Sequence, residues 1–122
     1  MLKGSFFTVS ETETAEGLLK TLIKFDPGHI IFEGHFPGVP VVPGVCMLQI
    51  VKEMLGDAVQ KELRLTKADH LKFLTVINPV ETGTVKLEIS YTSSVEGQFS
   101  ANASLSNEGI TYFKFKGVFS ET

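Results

Sequence analysis

The chain of 122 residues is poor in the residue types that mark specialised proteins. It has one cysteine, Cys46, and so closes no internal disulfide, which fits a reducing compartment such as the cytoplasm. It has no tryptophan; ten phenylalanines carry most of the aromatic content, as suits a compact domain containing β-structure. It has no basic excess: the formal charge is −3, whereas nucleic-acid binding usually needs a strongly positive face. No apolar run approaches the ~20 residues of a membrane span. No stretch near Met1 joins a basic head, an apolar run and a small-residue cleavage site, so no secretory leader is expected. Internal repeats, low-complexity tracts and linkers are missing as well. What remains, at 43% hydrophobic residues, reads as one cytoplasmic domain, residues 1–122, with no nucleic-acid or membrane partner.

Against that background residues 34–45 stand out: Gly-His-Phe-Pro-Gly-Val-Pro-Val-Val-Pro-Gly-Val. Pro37, Pro40 and Pro43 lie here, interleaved with glycines. Proline fixes φ and glycine admits conformations closed to other residues, so the segment takes one path, neither strand nor helix. It sets His35 on a stiff loop that runs into an apolar helical pattern from Val45 to about Lys61. The first two turns of that pattern are apolar nearly all round, as in a helix buried on most sides. Gln49, Lys52, Glu53, Asp57 and Gln60 interrupt it, and Gln49, Glu53 and Gln60 fall on one side.

Before the loop, residues 4–9 and 17–25 read as strands separated by a polar turn rich in Glu and Thr. Asp26-Pro27-Gly28 is a further turn. After the helix the period changes to two. Ala68 to Ile77, Thr84 to Tyr91, Gln98 to Leu105 and Ile110 to Phe119 read as strands. The intervening turns are short, so neighbours in sequence are expected to pair antiparallel. The expected architecture is α+β: about six antiparallel strands in a sheet curled around one long central helix.

With that layout and the Gly-His-Phe-Pro-Gly-x-Pro-x-x-Pro-Gly-Val loop, the chain resembles the hotdog-fold β-hydroxyacyl-(acyl carrier protein) dehydratases of fatty-acid biosynthesis. The strongest match is residues 32–48, and residues 72–83 give a weaker echo. The resemblance implies loss of water from a β-hydroxyacyl thioester to give a trans-2-enoyl thioester. It implies His35 as general base and the backbone N–H of Val45 as the donor polarising the thioester carbonyl. Phe36, Gly38, Pro43 and Gly44 are implied around the substrate. It implies a dimer with shared active sites, acyl carrier protein as partner, and no cofactor beyond the phosphopantetheine that carries the substrate. The chemistry agrees: an α-proton next to a thioester is weakly acidic, neutral imidazole accepts a proton near pH 7, and a helix N-terminus offers unpaired donors to a developing oxyanion.

One position departs from the family. Its acid is a carboxylate fourteen residues after the histidine; here that residue is Gln49, and an amide cannot deliver a proton. Four residues on, where the similar dehydratases carry glutamine, this chain has Glu53. Four residues advance about 6 Å along a helix with nearly the same facing, and helical side chains lean back toward the N-terminus. Glu53 is therefore a possible relocated acid, acting directly or through a water held by Gln49. The alternative is that Gln49, Glu53 and Gln60 form a solvated stripe.

The other candidates read as structural. His29 follows a turn, His70 sits in a charged strand, and no histidines have metal-ligand spacing, so no metal site is expected. Cys46 lies in a helical first turn but among apolar neighbours, as an inert buried thiol does. Glu33 has no assigned task. Phe113, Phe115 and Phe119 read as core. Lys67, Lys72, Lys114 and Lys116 are candidates for docking an acidic carrier protein. Two competing functions remain: a catalytically weak hotdog subunit that pairs with a complete dehydratase, and an acyl thioesterase of the same fold.

Overall fold

The computed structural model describes residues 1–33 and 39–122, with position 94 described by its backbone alone. Strand β1 spans Phe7–Ala15 and β2 spans Leu18–Phe25. A short 3-10 turn, Ile30–Phe32, follows, then helix α1, Gly44–Val59. Strands β3 (Leu63–Phe73), β4 (Thr84–Val95), β5 (Gln98–Asn107) and β6 (Ile110–Glu121) complete the chain. All six strands lie in one antiparallel sheet, ordered β1-β2-β4-β5-β6-β3. This is the hotdog architecture, one helix against one curled sheet.

Period-two patterning decides which face of the sheet meets the helix. Val85, Leu87 and Ile89 of β4, Phe99, Ala101, Ala103 and Leu105 of β5, and Phe113, Phe115 and Phe119 of β6 are buried. Helix α1 buries Cys46, Met47, Ile50, Val51, Met54 and Leu55 in the same apolar cluster. Phe6, Phe7, Phe25, Phe113 and Phe119 are among the largest fully buried side chains. Each such ring contributes about 1.5–3 kcal/mol by leaving water, which is how a chain without tryptophan builds this core.

Several boundaries differ from the sequence-based expectation: β1 begins at Phe7 rather than residue 4, and β4, β5 and β6 run on to Val95, Asn107 and Glu121 rather than ending at Tyr91, Leu105 and Phe119. The Glu/Thr-rich stretch is strand: β1 runs on through Ala15, and the turn is confined to Glu16-Gly17. As an edge strand, β1 needs no apolar alternation on both faces. Gly17 has φ +72°, and a Cβ there would lie 2.8 Å from the Tyr91 carbonyl, so the tight approach of this turn to β4 requires glycine. Strand β3 starts at Leu63 and ends at Phe73, whereas Ala68 to Ile77 was expected; beyond Leu63 all its residues are exposed, so no alternation marks it. The helix stops at Val59 because Gln60 adopts the left-handed conformation, φ 57°, as its C-cap.

Pairing of sequence neighbours holds for β1–β2, β4–β5 and β5–β6 but not for β3–β4. Instead β2 pairs with β4, and β3 crosses to the far edge beside β6. The segment between β3 and β4 is consequently a crossover. It supports the proline loop: the Ile77 carbonyl accepts from the Val42 N–H at 2.9 Å, and both side chains are buried.

Candidate active site

The helix start is built by Pro43. Its carbonyl accepts from the N–H groups of Cys46 (3.0 Å) and Met47 (3.2 Å), and it has no side chain able to cap. Among the described residues, the N–H groups of Gly44 and Val45 have no acceptor. These two donors carry the positive end of the helix dipole. The Val45 side chain is 75% exposed, so the helix presents this turn outward rather than into the core.

Phe73, at the end of β3, forms a wall beside this turn. A Cβ on Gly44 would come within 2.7 Å of the Phe73 ring, so only glycine lets the ring pack against the helix start. Phe73 also stacks on Phe113, with centroids 5.4 Å apart, yet remains 52% exposed. Sequence reasoning missed this packing of Phe73; its place in the weaker family-like stretch was the only signal available. The expected base His35 and the expected substrate-binding residues Phe36 and Gly38 lie outside the described residues. Pro43, Gly44 and Val45 stand together at the helix N-terminus.

Two turns further on, the helix is tied down. Glu53 is only 7% exposed, so the solvated-stripe alternative does not hold for it. Its carboxylate accepts from the Leu2 N–H through both oxygens (3.0 and 2.8 Å) and from the Lys3 N–H (3.0 Å). Gln49 Nε2 donates to Glu53 Oε2 at 2.9 Å. The Lys3 ammonium meets the Asp57 carboxylate at 2.9 Å one turn later. Glu53 thus anchors residues 2 and 3 along the helix. Carrying a proton on either oxygen would displace one of these donors, so anchoring and acid catalysis compete at this residue. The Gln49 amide is oriented by the same contact: its N–H₂ faces the carboxylate, and among the described residues its carbonyl oxygen has no donor. Both residues border a cleft of about 650 Å³ that Met1 and Leu63 also line. Sequence reasoning missed the anchor because the donors are backbone N–H groups, which no residue type advertises.

His29 Nδ1 accepts from the Ile31 N–H at 3.1 Å and its ring meets Phe6 edge-on. Cys46 is buried, and burial pushes its thiol above the ordinary range despite its place in the first helical turn. His70 is exposed on β3. Lys67 pairs with Asp69 at 3.3 Å and is not among the residues lining the groove that Lys72, Lys114 and Lys116 border.

A model of the ApeI-like family, described as ApeI dehydratase, matches residues 10–116. The chain belongs to the ApeI-like dehydratase family. Among relatives, 3-hydroxyacyl-[acyl-carrier-protein] dehydratase FabZ of Rickettsia conorii is 27% identical over 121 residues, covering 83% of each chain. The dehydratase heterocomplex ApeI:P of Xenorhabdus doucetiae has a chain of the same fold, with TM-score 0.76, 20% identity, and coverage of 94% of this chain and 98% of that one. Protein yhdA of Lactococcus lactis, whose name calls it a thioesterase, also shares the fold, with TM-score 0.65, 11% identity, and coverage of 93% and 91%. This ApeI-like protein is therefore a dehydratase of FabZ/ApeI type at the level of family, while the fold alone spans more than one chemistry. Among its described residues, no helix is long and apolar enough to cross a membrane.

Proposed function

We propose that this protein removes water from 3-hydroxyacyl thioesters borne on acyl carrier protein, giving trans-2-enoyl thioesters. The observation that carries the reading is the pair of N–H groups at Gly44 and Val45, which find no acceptor among the described residues and follow the histidine loop in sequence. In the proposed reaction the thioester oxygen lies against the Val45 N–H, where the developing negative charge is stabilised. His35 accepts the α-proton. The released electron pair forms the Cα–Cβ double bond as the β C–O bond breaks. The Gln49 carbonyl holds the departing hydroxyl by its own hydrogen, and the imidazolium on His35 returns a proton to complete the water. The thioester is itself the electron sink, so the step needs no cofactor.

A second reading has its own support. Gln49 cannot act as an acid and Glu53 is committed to three donors, the Leu2 and Lys3 N–H groups and the Gln49 amide. A second hotdog subunit with a carboxylate at the Gln49 position would supply the acid across a shared interface. The half-open Phe73 wall, the outward Val45 and the exposed Leu74 and Val76 favour a covering subunit, identical or different.

The test is hydration of a trans-2-enoyl thioester on acyl carrier protein by the purified protein, with His35→Ala as control. Activity that the control loses supports the first reading. Activity only after co-expression with a second hotdog subunit, and lost when that subunit's carboxylate is removed, supports the second. No activity in either format rejects both.

A further inference from the structure

The face of the sheet turned away from α1 carries a second site. Because β6 buries Phe113 and Phe115 inward, Lys114 and Lys116 point outward. Register then sets Lys114 directly opposite Lys72 of β3, and Lys116 directly opposite His70. On the other side the same two rungs continue through Ser104 to Glu88 and through Asn102 to Ser90. These residues line a groove of about 450 Å³, within the usual range for small-molecule sites.

Like charges directly opposite one another destabilise a sheet. Here a chain of net charge −3 concentrates three lysines and a histidine on two adjacent rungs. Among the described residues, no carboxylate pairs with Lys72, Lys114 or Lys116. The one acid lining the groove, Glu88, is engaged by Lys20 at 3.6 Å. Ser90, Asn102 and Ser104 add neutral donors between the charges. Cations at cross-strand spacing, with hydroxyl and amide donors beside them, match an anion of more than one charge whose oxygens accept from several donors at once.

We propose that this groove binds a ligand bearing a diphosphate group, at a site separate from the helix N-terminus and independent of the dehydration reading. The diphosphate is either inorganic or part of a nucleotide, and the two are separated by using inorganic pyrophosphate and ADP as probes. Titration calorimetry of the whole protein at physiological salt is expected to give saturable one-to-one binding of pyrophosphate. Lys72→Ala/Lys114→Ala is expected to weaken it at least about tenfold, since each charge-assisted contact is worth that much or more. Lys52→Ala/Lys61→Ala, with the same change in net charge, is expected to leave it unchanged. Tighter binding of ADP than of pyrophosphate assigns the nucleotide source; equal binding assigns the free anion. Without ligand, the Lys72/Lys114 double variant is expected to melt no lower than the parent, because it relieves repulsion, and this guards against loss of binding by misfolding. Absence of saturable binding of both probes up to millimolar concentration overturns the proposal. So does equal loss in both double variants, or saturable binding only to an acidic protein or an anionic vesicle.

Discussion

The first turn of α1 is left open, whereas its third turn is closed by the chain's own N-terminal residues. At the start, Pro43 caps nothing with its side chain, the Gly44 and Val45 N–H groups have no acceptor among the described residues, and Phe73 is only half covered. Further along, Glu53 accepts two backbone N–H groups and the Gln49 amide, and Asp57 holds Lys3. Unsatisfied donors cost stability and satisfied ones return it, so a helix can keep a reactive end provided another stretch is fastened. Under the proposed reaction this is a division of labour along sixteen residues: chemistry at one end, stability two turns away.

Substitutions that strike one end and spare the other test this division. The largest expected effect is at the proposed base. His35→Ala is expected to lower enoyl-thioester hydration by about 10²–10⁴-fold, the usual contribution of a general base, with little change in melting temperature. A matching fall in stability would place the histidine in the fold rather than the chemistry. Next comes the closed end. Glu53→Ala strands the Leu2 and Lys3 donors and is expected to cost about 2–4 kcal/mol in denaturant unfolding, from unpaired groups near a charge-assisted site. Activity at a temperature where the variant stays folded is expected to fall far less than for His35→Ala; an equal loss would restore Glu53 to the role of acid.

Gly44→Ala sits at the boundary between the two ends. Its new methyl meets the Phe73 ring, and displacing that ring is expected to cost about 1–3 kcal/mol together with part of the activity. Unchanged unfolding and unchanged rate would show that Phe73 yields freely. The smallest effect is expected from Lys3→Ala, because its ion pair with Asp57 is partly exposed. A loss below about 1 kcal/mol that shrinks further in high salt is the expected reading. A larger loss would mean that the ion pair, not Glu53, fastens the segment.

Much of this contrast was written in residue types, and part was not. The helix was legible because its first two turns are apolar on nearly every side and the apolar pattern runs on to Val59, and the open end because proline and glycine punctuate the approach to it. Strands β4, β5 and β6 were legible because one face of each is buried. The edge strands β1 and β3 were misplaced for the converse reason: Glu11, Glu13, Lys67 and Lys72 face water, and an edge held by backbone bonds needs no hydrophobic alternation. Glu53 showed its carboxylate in the sequence but not its partners. The exchange of Gln49 and Glu53 against the family pattern was visible at once; that Glu53 spends its acceptors on residues 2 and 3 was visible only in three dimensions.

The crossover that sends β3 to the far edge also sets how this protein must fold. The hairpins β1–β2, β4–β5 and β5–β6 join residues close in sequence and can form early. The pairings of Leu18 with Ser90 and of Leu63 with Glu121 close most of the chain into loops. Closing such loops costs entropy before any contact repays it, so these two seams are expected to limit the rate of folding. Until they close, the apolar face of α1 has no complete sheet to cover it, and nascent chains are most prone to associate with one another during that interval.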